Sequence, residues 1–509
     1  MLSLTKVVHG VGAVVLSLVV AVTGITGAAA ADAGSHVGEG QILAGPGDFG
    51  FACHRIPALT QAPNGDLLAA WDGRPGSCRD APQANSIVQS VSSDGGKTWS
   101  DPEVIAAGHP RDPIHGYSDP SYVVDHETGT VFMFFVKSFD QGFRGSQPGT
   151  DPADRNVLHA AVIESHDNGH TWSAPRVITD QITTKDSWRS RFAASGRGIQ
   201  LRYSPYAGRL LQQYTIATTD GQMRAVSVYS DDHGKTWHAG EAVGTGMDEN
   251  KVVELSNGNV MLNSRSSQGA GYRLIAISKD GGETYGEVHR DETLVDPRNN
   301  ASIICAYPKA PKGSERAKVL LFSNAASATS RVNGTIRVSY DNGKTWPVSK
   351  VFEPGDMAYS TLTPLDTPGK YGLLYEGKGP TINYMSITLD WLGARSVPKA
   401  TPMSPSPSVS MGSTADSTPM VPPSVTTSPI STASSNGSST TKPTATSVAS
   451  STPVAGAGDE PRVSGGDTHA DDKPGTLPNT GSAGILAMLA LAVALIAAGS
   501  TVFLRRRKH

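Results

Sequence analysis

Apolar residues in this chain fall in short runs separated by turn formers, and few stretches carry helical spacing. Five of these runs lead into one eight-residue phrase, S-x-D-x-G-x-T-W: Ile87-Val88, Val162-Ile163, Val226-Ser227-Val228, Leu274-Ile275-Ala276-Ile277 and Ile336-Arg337-Val338. The phrase occupies Ser92–Trp99, Ser165–Trp172, Ser230–Trp237, Ser278–Tyr285 and Ser339–Trp346, with Tyr replacing Trp in the fourth copy. Its Asp favours a turn because the side chain bonds its own backbone, and its Gly because positive φ carries no steric cost. Thr and Trp then restart extended structure and give the turn an aromatic to bury. Each copy predicts a strand, a tight hairpin and the start of another strand.

The Asp residues of successive copies stand 73, 65, 48 and 61 residues apart. Units of about 40–50 residues or more, built from short strands, predict a β-propeller with four-stranded blades. The region 36–395 is long enough for close to six units at that spacing. The expectation is all-β: a six-bladed β-propeller of antiparallel sheets.

Composition changes the picture outside that region. Residues 1–31 carry Lys6, an apolar run from Val7 to Val22 and a small-residue end at Ala29-Ala30-Ala31, which predicts a secretory signal peptide. Residues 397–475 are largely Ser, Thr, Pro and Ala, too poor in apolar surface to offset chain entropy, and predict a disordered stalk. Residues 476–509 hold Leu477-Pro478-Asn479-Thr480-Gly481, an apolar stretch from Ser482 to Leu504 and then Arg505-Arg506-Arg507-Lys508. That stretch is long enough to span a bilayer, and the basic end would stay cytoplasmic. A net charge of −3 with no basic stripe argues against nucleic acid. No C-x-x-C, no H-E-x-x-H and no His/Cys cluster at ligand spacing occurs, so neither a metal nor a cofactor is expected. A monomer is expected.

The candidates for chemistry are charged residues inside otherwise apolar or small-residue segments. Arg55 stands in His54–Leu59, and Asp80 follows Gly73-Arg74-Pro75-Gly76. Glu249 lies in Met247-Asp248-Glu249-Asn250, and Arg265 follows Asn263-Ser264. Arg331 follows the small-residue run Ser323 to Ser330, Tyr359 precedes Ser360-Thr361-Leu362, and Glu376 ends Leu373-Leu374-Tyr375. Taken singly, each of them reads as a salt bridge or a core residue before it reads as a catalyst.

Together, in motif, order and spacing, they resemble the bacterial sialidases from about Gly38 to Leu392, and the repeated phrase resembles that family's Asp box. One departure is His54, where the family usually has an aromatic before Arg-Ile-Pro. The resemblance places the boxes on outer hairpins away from the site, as turn elements. It implies that Arg55, Arg265 and Arg331 converge on the sialic acid carboxylate, which guanidinium forks match in bidentate geometry. Glu376 would orient Arg55, Asp80 would be the acid/base, and Tyr359 the nucleophile with Glu249 accepting its proton. Asp119, in Gly116-Tyr117-Ser118-Asp119-Pro120, would be a further pocket residue beside the N-acetyl group. A neutral phenol suits this substrate, because a carboxylate nucleophile would be repelled by the substrate's own carboxylate.

The function so implied is an exo-α-sialidase (a neuraminidase, hence a glycoside hydrolase) that removes terminal sialic acid from glycoconjugates with retention. The alternatives are a sialic-acid-binding adhesin on the same propeller, or a trans-sialidase. The L-P-x-T-G, apolar, basic order resembles the sorting signal of Gram-positive cell-wall proteins, which implies sortase cleavage after Thr480 and linkage to peptidoglycan. Three cysteines leave at least one unpaired. Cys53 and Cys78 each stand two residues before a candidate, Arg55 and Asp80. Either they form a disulfide beside the site or they are two buried thiols that never meet, with Cys305 left over.

Overall fold

The computed structural model describes residues 37–399, apart from 112 and 186. The expected signal segment, the stalk from residue 400 onward and the expected anchor lie outside the described residues.

Among the described residues six sheets form, their strands antiparallel except where Gly196–Arg197 lies parallel to Ser121-Tyr122. They are the blades of a propeller. The first strands of the six blades are Cys53–Gln61, Gly116–Val124, Trp188–Ala193, Met247–Glu254, Ser302–Cys305 and Ser360–Pro364. These strands pack around the ring and line its centre, with Met247–Glu254 resting mainly on Leu210–Thr218 and Met223–Ser230 of the third blade. The sixth blade takes its outer strand, Gly40–Ala44, from the start of the chain, with Gly40 opposite Met385 and Ala44 opposite Ile382. That pairing closes the ring.

No single core exists. Six apolar clusters form instead, one at each blade interface. Phe132 and Phe134 of the second blade meet Tyr214 and Leu210 of the third, and Leu59 and Trp71 of the first meet Leu374 and Tyr384 of the sixth. Second strands are sandwiched on both faces, which is why Leu67–Arg74 and Leu210–Thr218 are buried throughout.

The repeated phrase has a shared set of bonds. In the first copy Ser92 Oγ donates to Asp94 Oδ1 (2.8 Å) and accepts from Gly96 N (2.9 Å), and Thr98 Oγ1 donates to Asp94 Oδ2 (2.7 Å). The same Ser–Asp, Gly–Ser and Asp–Thr bonds recur at Ser165, Ser230, Ser278 and Ser339. Burial opposes ionisation of Asp94, but the bonds from Thr98 outweigh it and hold the carboxyl at about 2. The phrase also fastens blade to blade. Gly169 has φ 87°, and a Cβ there would lie 2.5 Å from Leu68 of the preceding blade. Glycine is required at that position on both counts.

Four first strands carry β-bulges near their start, between Arg55 and Ala58, Ser118 and Ser121, Trp188 and Ser190, and Met247 and Asn250. Ile56 (φ 66°) and Asp119 (φ 63°) take left-handed backbone there. Such bulges re-aim side chains beside functional sites, and three of the four fall among the candidate residues.

Candidate active site

Six of the eight candidates meet around one phenol. Tyr359, buried at the head of the sixth blade, donates its hydroxyl to Glu249 Oε2 at 2.8 Å. Arg265 Nη1 donates to that same Oε2 at 2.5 Å and to Tyr359 Oη at 3.1 Å. The guanidinium carbons of Arg55 and Arg331 lie 5.5 and 5.2 Å from the Tyr359 ring centre. Three cations therefore ring one neutral phenol. Burial, and then the Glu249 charge, push that phenol well above its ordinary pKa, against the pull of the arginines. It keeps its proton at neutral pH.

Arg55 is held from behind by Glu376. Arg55 Nε and Nη2 donate to Glu376 Oε1 and Oε2, both at 3.1 Å. The backbone N–H groups of Ile56 and Tyr359 donate to the same two oxygens at 2.7 and 3.2 Å. Burial raises the Glu376 carboxyl, but the Arg55 charge and these bonds more than offset it, leaving it below the usual carboxylate range. One buried carboxylate thus fixes both the arginine and the strand that carries Tyr359.

The remaining two candidates sit on a second arm. Asp80 is 82% exposed, and Arg74 Nη1 donates to its Oδ1 at 2.9 Å. The same guanidinium grips Asp72 Oδ2 through Nη2 and Nε at 2.9 and 3.2 Å, and Asp72 Oδ1 accepts the Asp119 N–H at 3.0 Å. Burial, with Asp72, Asp80 and Glu249 nearby, pushes the Asp119 carboxyl well above the usual carboxylate range. Cys53 and Cys78 are joined by a disulfide, with Cα atoms 5.3 Å apart, and Cys305 is a buried free thiol. The disulfide ties the loop carrying Asp80 to the strand carrying Arg55.

Sequence reasoning missed Asp72 and Arg74. The available signal was two charges, two residues apart and so on one side of a strand, directly after the apolar run Leu67–Trp71. It also passed over Asp248, whose Oδ2 lies 3.2 Å from Arg265 Nε. Lys251 was missed too: it is buried, donates to Asn300 Oδ1 at 2.8 Å, and is pushed down to about 7 by burial.

His54 has a packing role that its ring nitrogens define. Nδ1 accepts the Trp71 Nε1–H at 2.9 Å, which leaves Nε2 to donate to the Asp48 carbonyl at 3.2 Å. Phe49, Phe51 and Trp71 meet the ring edge-on. Burial lowers its pKa despite Asp48. In the unfolded chain a histidine titrates near 6.5, so on acidification the unfolded state takes up protons first. Stability is then full above about 6.5 and is lost as pH falls towards the folded pKa. Wild type should show a lower thermal midpoint at pH 5 than at pH 7.5. His54→Phe should lose about 1–3 kcal/mol at pH 7.5, by orphaning the Trp71 N–H, yet decline less on acidification. An unchanged decline would contradict a neutral, buried His54.

A propeller whose centre opens on three arginines, a carboxylate-paired tyrosine and an exposed aspartate has the elements of a glycosidase site for an acidic sugar. Comparison with known proteins agrees. Residues 65–372 match the BNR repeat-like domain, and residues 470–509 match the LPXTG cell wall anchor motif. The chain is 61% identical over 378 residues to a sialidase of Micromonospora viridifaciens, covering 74% of this chain and 58% of that one. It is 32% identical over 356 residues to a sialidase of Bacteroides fragilis, covering 67% of this chain and 63% of that one. Among solved structures, a Hadza microbial sialidase superposes with a TM-score of 0.63 at 31% identity, covering 69% of this chain and 68% of the other. The chain belongs to the sialidase family. It spans about three fifths of the length of the two curated relatives.

Proposed function

We propose that this chain is a cell-wall-anchored exo-α-sialidase, releasing terminal α-linked sialic acid from glycoproteins, glycolipids or oligosaccharides with retention of configuration. The observation that carries the reading is the Tyr359–Glu249 hydrogen bond among three arginines. A binding protein would use the arginines but has no need of a phenol paired with a base. Kinship with proteins named sialidase supports the same reading.

The substrate carboxylate would lie among Arg55, Arg265 and Arg331, bringing the anomeric carbon over Tyr359. Glu249 takes the phenol proton as Tyr359 Oη bonds to that carbon. The bond to the aglycone oxygen breaks, and Asp80 gives that oxygen its proton. Water, losing a proton to Asp80, then attacks the same carbon; the tyrosyl oxygen departs and recovers its proton from Glu249. Two displacements give net retention. Outside the propeller, the anchor motif supports surface attachment, with sortase joining Thr480 to peptidoglycan after export by the segment 1–31.

Full-length protein incubated with α2-3 and α2-6 sialyllactose should release free sialic acid and lactose. Tight binding without release would favour the adhesin, and transfer of sialic acid to added lactose in preference to water would favour the trans-sialidase.

A further inference from the structure

Asp80 is held at its side chain by one arginine and is otherwise open to solvent, so the placement of its carboxyl depends on what supports its backbone. Residues 81–85 rest on the second blade. Tyr117 N donates to the Asn85 carbonyl at 2.9 Å, and Asn85 Nδ2 to Ser118 Oγ at 3.0 Å. Directly after Asp80 the support is a glycine. A Cβ on Gly142 would collide with the Ala81 carbonyl oxygen, lie 2.7 Å from the Ala81 carbonyl carbon and 3.1 Å from Pro82 Cδ.

Gly142 belongs to the long connection between the second and third strands of the second blade, residues 139–158. This connection is fastened at many points. Arg155 pairs with Asp140 through two bonds of 2.8 and 2.6 Å. Ser146 N donates to the Gly142 carbonyl at 3.0 Å, and Ser146 Oγ donates to the Arg189 carbonyl at 2.9 Å. Arg189 Nη1 donates to the Arg144 carbonyl at 2.5 Å, and Arg191 Nη1 to that of Gly149 at 3.1 Å. The third blade thus clamps a ledge of the second blade, and the ledge meets the Asp80 loop where Gly142 faces the Ala81 carbonyl and Pro82. Gly142 has no left-handed φ to explain its identity, which leaves the close approach as the reason for glycine.

We propose that Gly142 is a positioning residue for Asp80, setting how far the acid/base loop stands from the leaving oxygen. The inference rests on the reading of Asp80 as acid/base. A general acid matters most for a poor leaving group such as a sugar hydroxyl and little for a nitrophenolate, which departs without a proton. A merely structural lesion has no such selectivity.

The test compares kcat/KM towards sialyllactose and 4-nitrophenyl sialoside. Gly142→Ala should lose about tenfold or more on sialyllactose and under about threefold on the nitrophenyl substrate, a partial loss beside the roughly 10²–10⁴-fold that general acid catalysis contributes. Asp80→Asn, run beside it, should show the same split more strongly. An Asp80→Asn variant with no split would refute Asp80 as the acid. A split in Asp80→Asn with none in Gly142→Ala would overturn the positioning role alone. Should Gly142→Ala fail to fold, Asp140→Asn loosens the ledge from its exposed side. A selective loss of about threefold on sialyllactose supports the proposal, and equal effects on both substrates overturn it.

Discussion

Tyr359→Phe should bind sialosides much as wild type does and lose at least about 100-fold in kcat, about 2.7 kcal/mol of barrier. The change removes one oxygen from a buried ring and leaves the ring face to Arg55 and Arg331. Arg265 keeps its bond to Glu249, so it stays in place to meet the carboxylate of the proposed substrate. What disappears is the atom that would bond to the anomeric carbon, together with the proton that Glu249 would take. Steady-state kinetics on sialyllactose, with calorimetric titration of an unreactive sialoside, would separate turnover from binding. A kcat within about tenfold of wild type, about 1.4 kcal/mol, would remove Tyr359 from the chemistry.

Glu376→Gln should damage fold and site together. Each Glu376 oxygen accepts two N–H groups, Oε1 from Arg55 Nε and Ile56 N, and Oε2 from Arg55 Nη2 and Tyr359 N. Glutamine puts an NH₂ against two donors whichever way it turns, and removes the only carboxylate that pairs with Arg55 among the described residues. Breaking a buried pair by neutralising one partner costs about 3–5 kcal/mol. The denaturant midpoint should fall accordingly with an unchanged slope. The fall in kcat/KM should be about 100-fold, because Arg55 and the Tyr359 backbone lose a shared anchor. A loss below about 1 kcal/mol, the ordinary range of an exposed ion pair, would mean that the pair is not the brace described.

The propeller was legible because one phrase does one job five times: Ser, Asp, Gly and Thr make the same bonds in every copy. The closing strand was not legible. Gly40–Ala44 is mostly exposed and carries no periodic signal, and its partner lies more than three hundred residues away. Arg55, Glu249 and Glu376 stood out as charges in apolar surroundings, yet which met which was open, since Arg55 and Glu376 are 321 residues apart. Asp72 and Arg74 passed unnoticed because a charged strand end also reads as solvated, and only the folded chain shows both side chains buried. The Cys53–Cys78 bond needed the 5.3 Å approach of two Cα atoms, a distance that spacing alone leaves free.

The anomer formed first reports most directly on the central claim. Proton NMR of the full-length protein turning over sialyllactose should show α-sialic acid appearing first, with the β anomer growing in only as mutarotation proceeds. β-Sialic acid as the first product would contradict a double displacement through Tyr359, and no free sialic acid at all would contradict the sialidase reading itself.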